Sequence, residues 1–198
     1  MTARNLLRWW PPMGVLAMIA LGLAVGRGST SVDAAFLDDA REVTGQRPTW
    51  LLAFTDWWLL GPVLAASLAV ALWRRQWRLA AVVAVCPWLV LTINQVLKHL
   101  FDRRNGPYLE YPSGHTTLVV VVTGMALLVV GVRWWAVAVV AVVCALGMLG
   151  LVTNGFHYLT DTIGAALLTT ALVCLAARVA GLMPARPPGG GRHEEPAD

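Results

Sequence analysis

Residues 112–161 read PSGHTTLVVVVTGMALLVVGVRWWAVAVVAVVCALGMLGLVTNGFHYLTD, and this stretch decides the fold. Two apolar runs, 116–132 and 134–152, are interrupted by one charged residue, Arg133. Each run approaches the roughly 20 residues a helix needs to cross a bilayer. Neither shows the alternation of a barrel strand, and in lipid a helix satisfies its own backbone groups. His115 stands before the first run, and His157 with Asp161 behind the second. Two crossings return the chain to its starting face, so these three residues share one side of the membrane.

The rest of the chain follows the same pattern. Of 198 residues, 58% are apolar and 13% charged, against about 45–50% and 25% in soluble domains. Further apolar runs fall at 9–25, 57–73, 79–97 and 161–177. The expectation is an all-α, polytopic membrane protein: a six-transmembrane-helix bundle forming one domain over 1–182. Trp9, Trp10, Trp57, Trp58, Trp73, Trp134 and Trp135 lie at run ends, where an indole favours the bilayer interface. The first run also reads as a cleavable signal peptide, with Arg4 and Arg8 ahead of it and Ala24-Val25-Gly26 behind, which would leave five spans.

With the N-terminus in the cytoplasm, the inner segments hold nine basic and three acidic residues, and the outer ones six and eight, counting Asp161 at the outer end of the last run. The positive-inside rule then places both termini in the cytoplasm and 26–56, 98–115 and 153–160 outside. The net charge of +4 is spread between apolar runs, which speaks against a nucleic-acid partner. Cys86, Cys144 and Cys174 lie within runs as small hydrophobes. In the outer loop 26–56, Val32, Phe36, Ala40 and Val43 can form the apolar stripe of an interfacial helix; a plain surface loop is the other reading. The tail 183–198 is expected to be disordered and cytoplasmic.

Chemistry gathers at the outer ends. Lys98 is the only lysine among 15 basic residues. Asp102, Arg103 and Arg104 follow it, then Ser113-Gly114-His115 opens a helix whose free N–H groups and dipole favour an anion. Lys98 offers a point charge, and Arg103 or Arg104 a bidentate contact. His157 and Asp161, spaced i, i+4, share a helix face. The carboxylate can fix the imidazole tautomer and leave the far nitrogen free to attack, while His115 can protonate a leaving oxygen. Taken singly, each element has a plainer reading: a helix cap, a structural His-Asp pair, interfacial arginine anchors. Their shared face favours a common site. A Ser113–His157 protease dyad and haem ligation by the two histidines fit the clustered cations less well.

These residues resemble the type 2 phosphatidic acid phosphatase (PAP2) superfamily, whose motifs are KxxxxxxRP, PSGH and SRxxxxxHxxxD. The resemblance runs through Lys98, Pro112-Ser113-Gly114-His115 and His157-Tyr158-Leu159-Thr160-Asp161. It implies a PAP2-type core, His157 as the nucleophile of a phosphohistidine, Asp161 as its partner and His115 as general acid. It further implies phosphate binding by Lys98, Ser113 and Gly114, with no metal or other cofactor. Two positions depart from the pattern: Asn105 stands where the first motif has Arg, and Leu151 where the third has Arg, with Gly150 in place of Ser. Arg103 and Arg104, with Asn154, are the candidates to supply the missing charge. The implied function is hydrolysis of a lipid phosphomonoester or pyrophosphate on the extracytoplasmic face. A polyprenyl phosphate or pyrophosphate is favoured, with phosphatidic acid, phosphatidylglycerophosphate and phosphorylated glycolipids as other substrates. The alternative is a weakened relative that binds phospholipid headgroups or supports a membrane complex. Oligomeric state is not encoded in these motifs.

Overall fold

The computed structural model describes residues 3–45 and 47–182; the tail 183–198 lies outside the described residues. In chain order the elements are α1 (Ala3–Val25), α2 (Ser31–Thr44), a 3-10 segment (Thr49–Thr55), α3 (Trp57–Trp73), α4 (Trp77–Phe101), β1 (Arg104–Asn105), β2 (Tyr108–Leu109), α5 (Gly114–Val130), α6 (Trp134–Thr153) and α7 (Leu159–Val179). The all-helical expectation holds except for the short antiparallel hairpin β1–β2, with Arg104 opposite Leu109 and Asn105 opposite Tyr108.

Among the described residues, five stretches are long and apolar enough to cross a membrane: Arg8–Val25, Thr49–Trp73, Trp77–Phe101, Trp134–Thr153 and Leu159–Val179. The sixth expected span is represented by α5, of 17 residues. At 1.5 Å per residue it is about 26 Å long, shorter than a hydrocarbon core of about 30 Å. Its surroundings make the length tolerable, because α5 packs against α3, α4, α6 and α7 in the middle of the bundle. Val119, Val121, Val122 and Met125 are fully buried, as expected for a helix that is apolar on every side. Between helices in lipid, cohesion comes from close packing more than from release of water. The contact of α1 with α7 shows this: a Cβ on Gly14 would lie 2.9 Å from the Leu167 carbonyl oxygen. At the helix ends Trp58, Trp73 and Trp134 are exposed, in keeping with an interfacial belt.

Above one end of the bundle, the segments between α1 and α3 and between α4 and α5 form an outer layer. α2 begins with a capping box in which the Thr30 hydroxyl accepts from Asp33 N–H and the Asp33 carboxylate accepts from Thr30 N–H. The helix expected in this loop is present, and its apolar stripe is divided: Val32 and Val43 are exposed, Phe36 is half-buried and Ala40, like Asp33, is buried. One ion pair, from Asp33 to Arg103 beside the hairpin, and hydrogen bonds to Thr160 of α7 set the rotation of α2. The 3-10 segment is fixed differently, with Leu51 buried against Gly150, where a Cβ would come within 2.7 Å of the leucine side chain.

Candidate active site

The site is built where α4, the hairpin, α5 and α7 meet. On α4 the buried residues Val83, Pro87, Val90 and Asn94 recur at helical spacing, and Lys98 continues the row four residues on. The helix ends at Asp102, in the left-handed conformation (φ 45°, ψ 36°), with its N–H bonded to the Lys98 carbonyl. Lys98 Nζ donates to the Leu109 carbonyl at 2.7 Å. Asn94 Nδ2 donates to the Pro112 carbonyl (3.2 Å) and Thr117 Oγ1 (2.9 Å), leaving its own buried Oδ1 without a partner.

Ser113 caps α5 by accepting from Thr116 N–H at 3.3 Å, and its own N–H donates to the Asp161 carbonyl at 3.1 Å. The first N–H groups of α5 have no partner within the helix. Gly114 keeps that end open: a Cβ there would sit 3.7 Å from Asn94 Oδ1 and 3.9 Å from Lys98 Cε. The Lys98 side chain and the N-terminus of α5 therefore meet beside Gly114, an arrangement suited to an oxyanion, while Asn94 turns an acceptor oxygen to the same place and spends its N–H groups on Pro112 and Thr117.

His157 lies in the turn between α6 and α7, where its N–H reaches the Leu151 carbonyl at 3.4 Å. Its ring meets that of His115 edge-on, with centroids 5.9 Å apart. His157 Nδ1 is in contact with Glu110 Oε2 and is 4.0 Å from Asp161 Oδ2. Asp161 is fully buried and engaged elsewhere: Oδ1 accepts from Arg103 Nη1 at 2.7 Å and Oδ2 from Tyr158 N–H at 3.0 Å.

Arg103 is the hub of the outer layer. Its guanidinium is wholly buried and makes five donor contacts, equal to its complement of N–H groups. Nε donates to the Gly28 carbonyl (3.1 Å), Nη1 to Thr160 Oγ1 (2.6 Å) and Asp161 Oδ1, and Nη2 to the Gly28 carbonyl (2.8 Å) and Asp33 Oδ2 (2.7 Å). The group also lies 4.6 Å from the centre of the Tyr158 ring. Burial alone would raise the Asp33 carboxyl pKa. Hydrogen bonds from Thr160 N–H, Thr30 and Arg103 outweigh that effect and hold it below the ordinary value.

The structure thus brings Lys98, Ser113, Gly114, His115, His157 and Asp161 together. The remaining three candidates, Arg103, Arg104 and Asn154, are placed elsewhere. Arg103 touches the site from behind Asp161 and has no N–H left for a phosphate. Arg104, the first residue of β1, is exposed and pairs with Asp102 at 2.8 Å. Asn154 ends α6, donating to the Gly150 and Pro48 carbonyls at 2.8 and 3.3 Å. Leu151 is buried, so the position where the PAP2 pattern has Arg carries no charge.

Sequence reasoning missed Glu110, Asn94 and Asp33. Asn94 was signalled by a polar residue four before Lys98 on an otherwise apolar face. Glu110 was signalled by symmetry, since Arg103 and Glu110 are equidistant from the Gly106-Pro107 turn. Glu110, His157 and Asp161 can each present one ligand atom, all within 4.8 Å of one another. Each Asp161 oxygen also accepts one hydrogen bond, from Arg103 and from Tyr158 N–H.

Neither a family model nor a curated protein matches the chain. Among solved structures it is similar to the PAP2-type transmembrane phosphatidylglycerolphosphate phosphatase of Bacillus subtilis, at 19% sequence identity with a TM-score of 0.68. The likeness covers 89% of this chain and 98% of that one. The chain therefore has the PAP2-type membrane fold.

Proposed function

We propose that the chain is an integral-membrane lipid phosphatase acting through a phosphohistidine on His157. The observation that carries this reading is the histidine pair: His157 has its Nδ1 edge covered by carboxylates and its ring against His115, next to the anion cradle of Lys98 and Gly114. His157 Nε2 attacks phosphorus, the N–P bond forms, and the P–O bond to the lipid breaks. His115 gives its proton to the departing oxygen. A water then attacks phosphorus and yields a proton to the now neutral His115; the N–P bond breaks and its electron pair returns to Nε2. Lys98, Ser113 and Gly114 stabilise the charge on the non-bridging oxygens, and no metal takes part. In this reading the six helices α1 and α3–α7 cross the membrane, both termini are cytoplasmic, and the site faces the outside.

The substrate is a phosphomonoester or pyrophosphate whose lipid tail stays in the bilayer while its headgroup reaches His157. Polyprenyl phosphates or pyrophosphates are favoured, and phosphatidylglycerolphosphate, the substrate named for the solved neighbour, is the next to test. Detergent-purified protein incubated with radiolabelled farnesyl pyrophosphate, dioctanoyl phosphatidic acid and short-chain phosphatidylglycerolphosphate should form an acid-labile phosphoprotein and release phosphate. His157→Ala should do neither. The uncharged Leu151 favours a second reading, a headgroup-binding relative; phosphate release by the parent and not by His157→Ala excludes it.

A further inference from the structure

The carboxylate that touches the His157 imidazole is not the one in the HxxxD spacing. We propose that Glu110 is the positioning residue that holds the proton on His157 Nδ1 and presents Nε2 to the substrate, while Asp161 braces α7 against Arg103. The proposal rests on the reading of His157 as nucleophile and deepens it.

Three observations carry it. The first is proximity: Glu110 Oε2 contacts Nδ1, whereas the nearest Asp161 oxygen is 4.0 Å away. The second is competition for lone pairs. Asp161 accepts from Arg103 and from Tyr158 N–H, but Glu110 Oε2 and His157 Nδ1 are both buried and have no other hydrogen-bond partner. Two such atoms in contact call for a shared proton. The third is fixation of the backbone. Glu110 N–H donates to the Arg103 carbonyl at 2.8 Å, and Lys98 holds the Leu109 carbonyl at 2.7 Å, so the carboxylate is returned to the site on a clamped strand. When Nε2 bonds to phosphorus the ring becomes cationic with its proton on Nδ1, and the Glu110 carboxylate stabilises that charge.

The test separates this proposal from the phosphatase reading. In protein carrying 15N-labelled histidine, in detergent micelles, the His157 signal is identified by its loss in His157→Gln. The neutral imidazole should be the Nδ1–H tautomer in the parent, and that preference should weaken in Glu110→Gln. An Nε2–H tautomer in the parent overturns the proposal without recourse to any folded variant or any substrate. With dioctanoyl phosphatidic acid, Glu110→Gln should lose about a hundredfold in kcat and keep KM within about threefold. Glu110→Asp should recover part of the loss. Parent-like kcat in folded Glu110→Gln, with collapse in Asp161→Asn, assigns the partner role to Asp161 and refutes the proposal. If the parent releases no phosphate from any probe, the phosphatase reading fails while the tautomer still decides the role of Glu110.

Discussion

The helical bundle and the outer layer above it are held together by different physics. Around α5, Val119, Val121, Val122 and Met125 pack on all sides with almost no polar contact. In the outer layer Asp33, Arg103, Thr160 and Asp161 form one buried polar network joining α2, the hairpin and α7. Apolar packing degrades by increments, because each lost methylene removes a few contacts. A buried ionic network fails abruptly, because removing one member strands the others in a medium that cannot solvate them. The chemistry is attached to the abrupt part.

The sharpest way to break that contrast is Arg103→Ala. Two buried carboxylates lose their cation, so the expected cost is about 3–5 kcal/mol, together with loss of phosphate release; thermal unfolding in detergent and turnover check both. A stable, active Arg103→Ala protein would show that the network is not needed. Met125→Ala, in the bundle, should cost about 2–4 kcal/mol, yet leave turnover per folded molecule within about twofold of the parent. Asp33→Asn follows, at about 1–3 kcal/mol, with its effect concentrated in α2: hydrogen exchange of amides 31–44 should accelerate while that of α5 stays unchanged.

Acid should reproduce part of that result. The folded-state pKa of Asp33 lies below its ordinary value, so the stabilisation it supplies is present above an unfolded pKa of about 3.9. That stabilisation is lost as pH falls through the folded value. Exchange in α2 should therefore rise below about pH 4 and stay flat on Asp33's account from there to neutrality. The smallest effect belongs to Arg104→Ala. An exposed pair with Asp102 contributes below about 0.5 kcal/mol, and turnover should be unchanged. A tenfold loss there would restore Arg104 as a phosphate clamp.

Adjacent arginines with such different fates show where legibility ended. Helical spans, the tryptophan positions and the clustering of Lys98, His115, His157 and Asp161 were readable because each depends on spacing within one helix or on counting crossings. Arg103 and Arg104 were indistinguishable until the entry into β1 placed the first in the buried network and the second in solvent. Asp33 was readable as part of a cap but not as a tether, because its partners lie 70 and 127 residues away. Glu110 depended on a chain reversal at Gly106, which adopts φ 59°, and short strands give little periodicity to detect.

The hairpin also constrains how this loop can vary in length. Arg103 and Glu110 flank the open end of the ladder side by side, with the Glu110 N–H on the Arg103 carbonyl. Inserting or deleting a single residue within a strand would swing one of the two side chains to the outer face. Changes confined to the Gly106-Pro107 tip preserve both. Grafts, tags or reporter peptides aimed at the outer surface therefore have one permissive site here, at the tip, and none on its flanks.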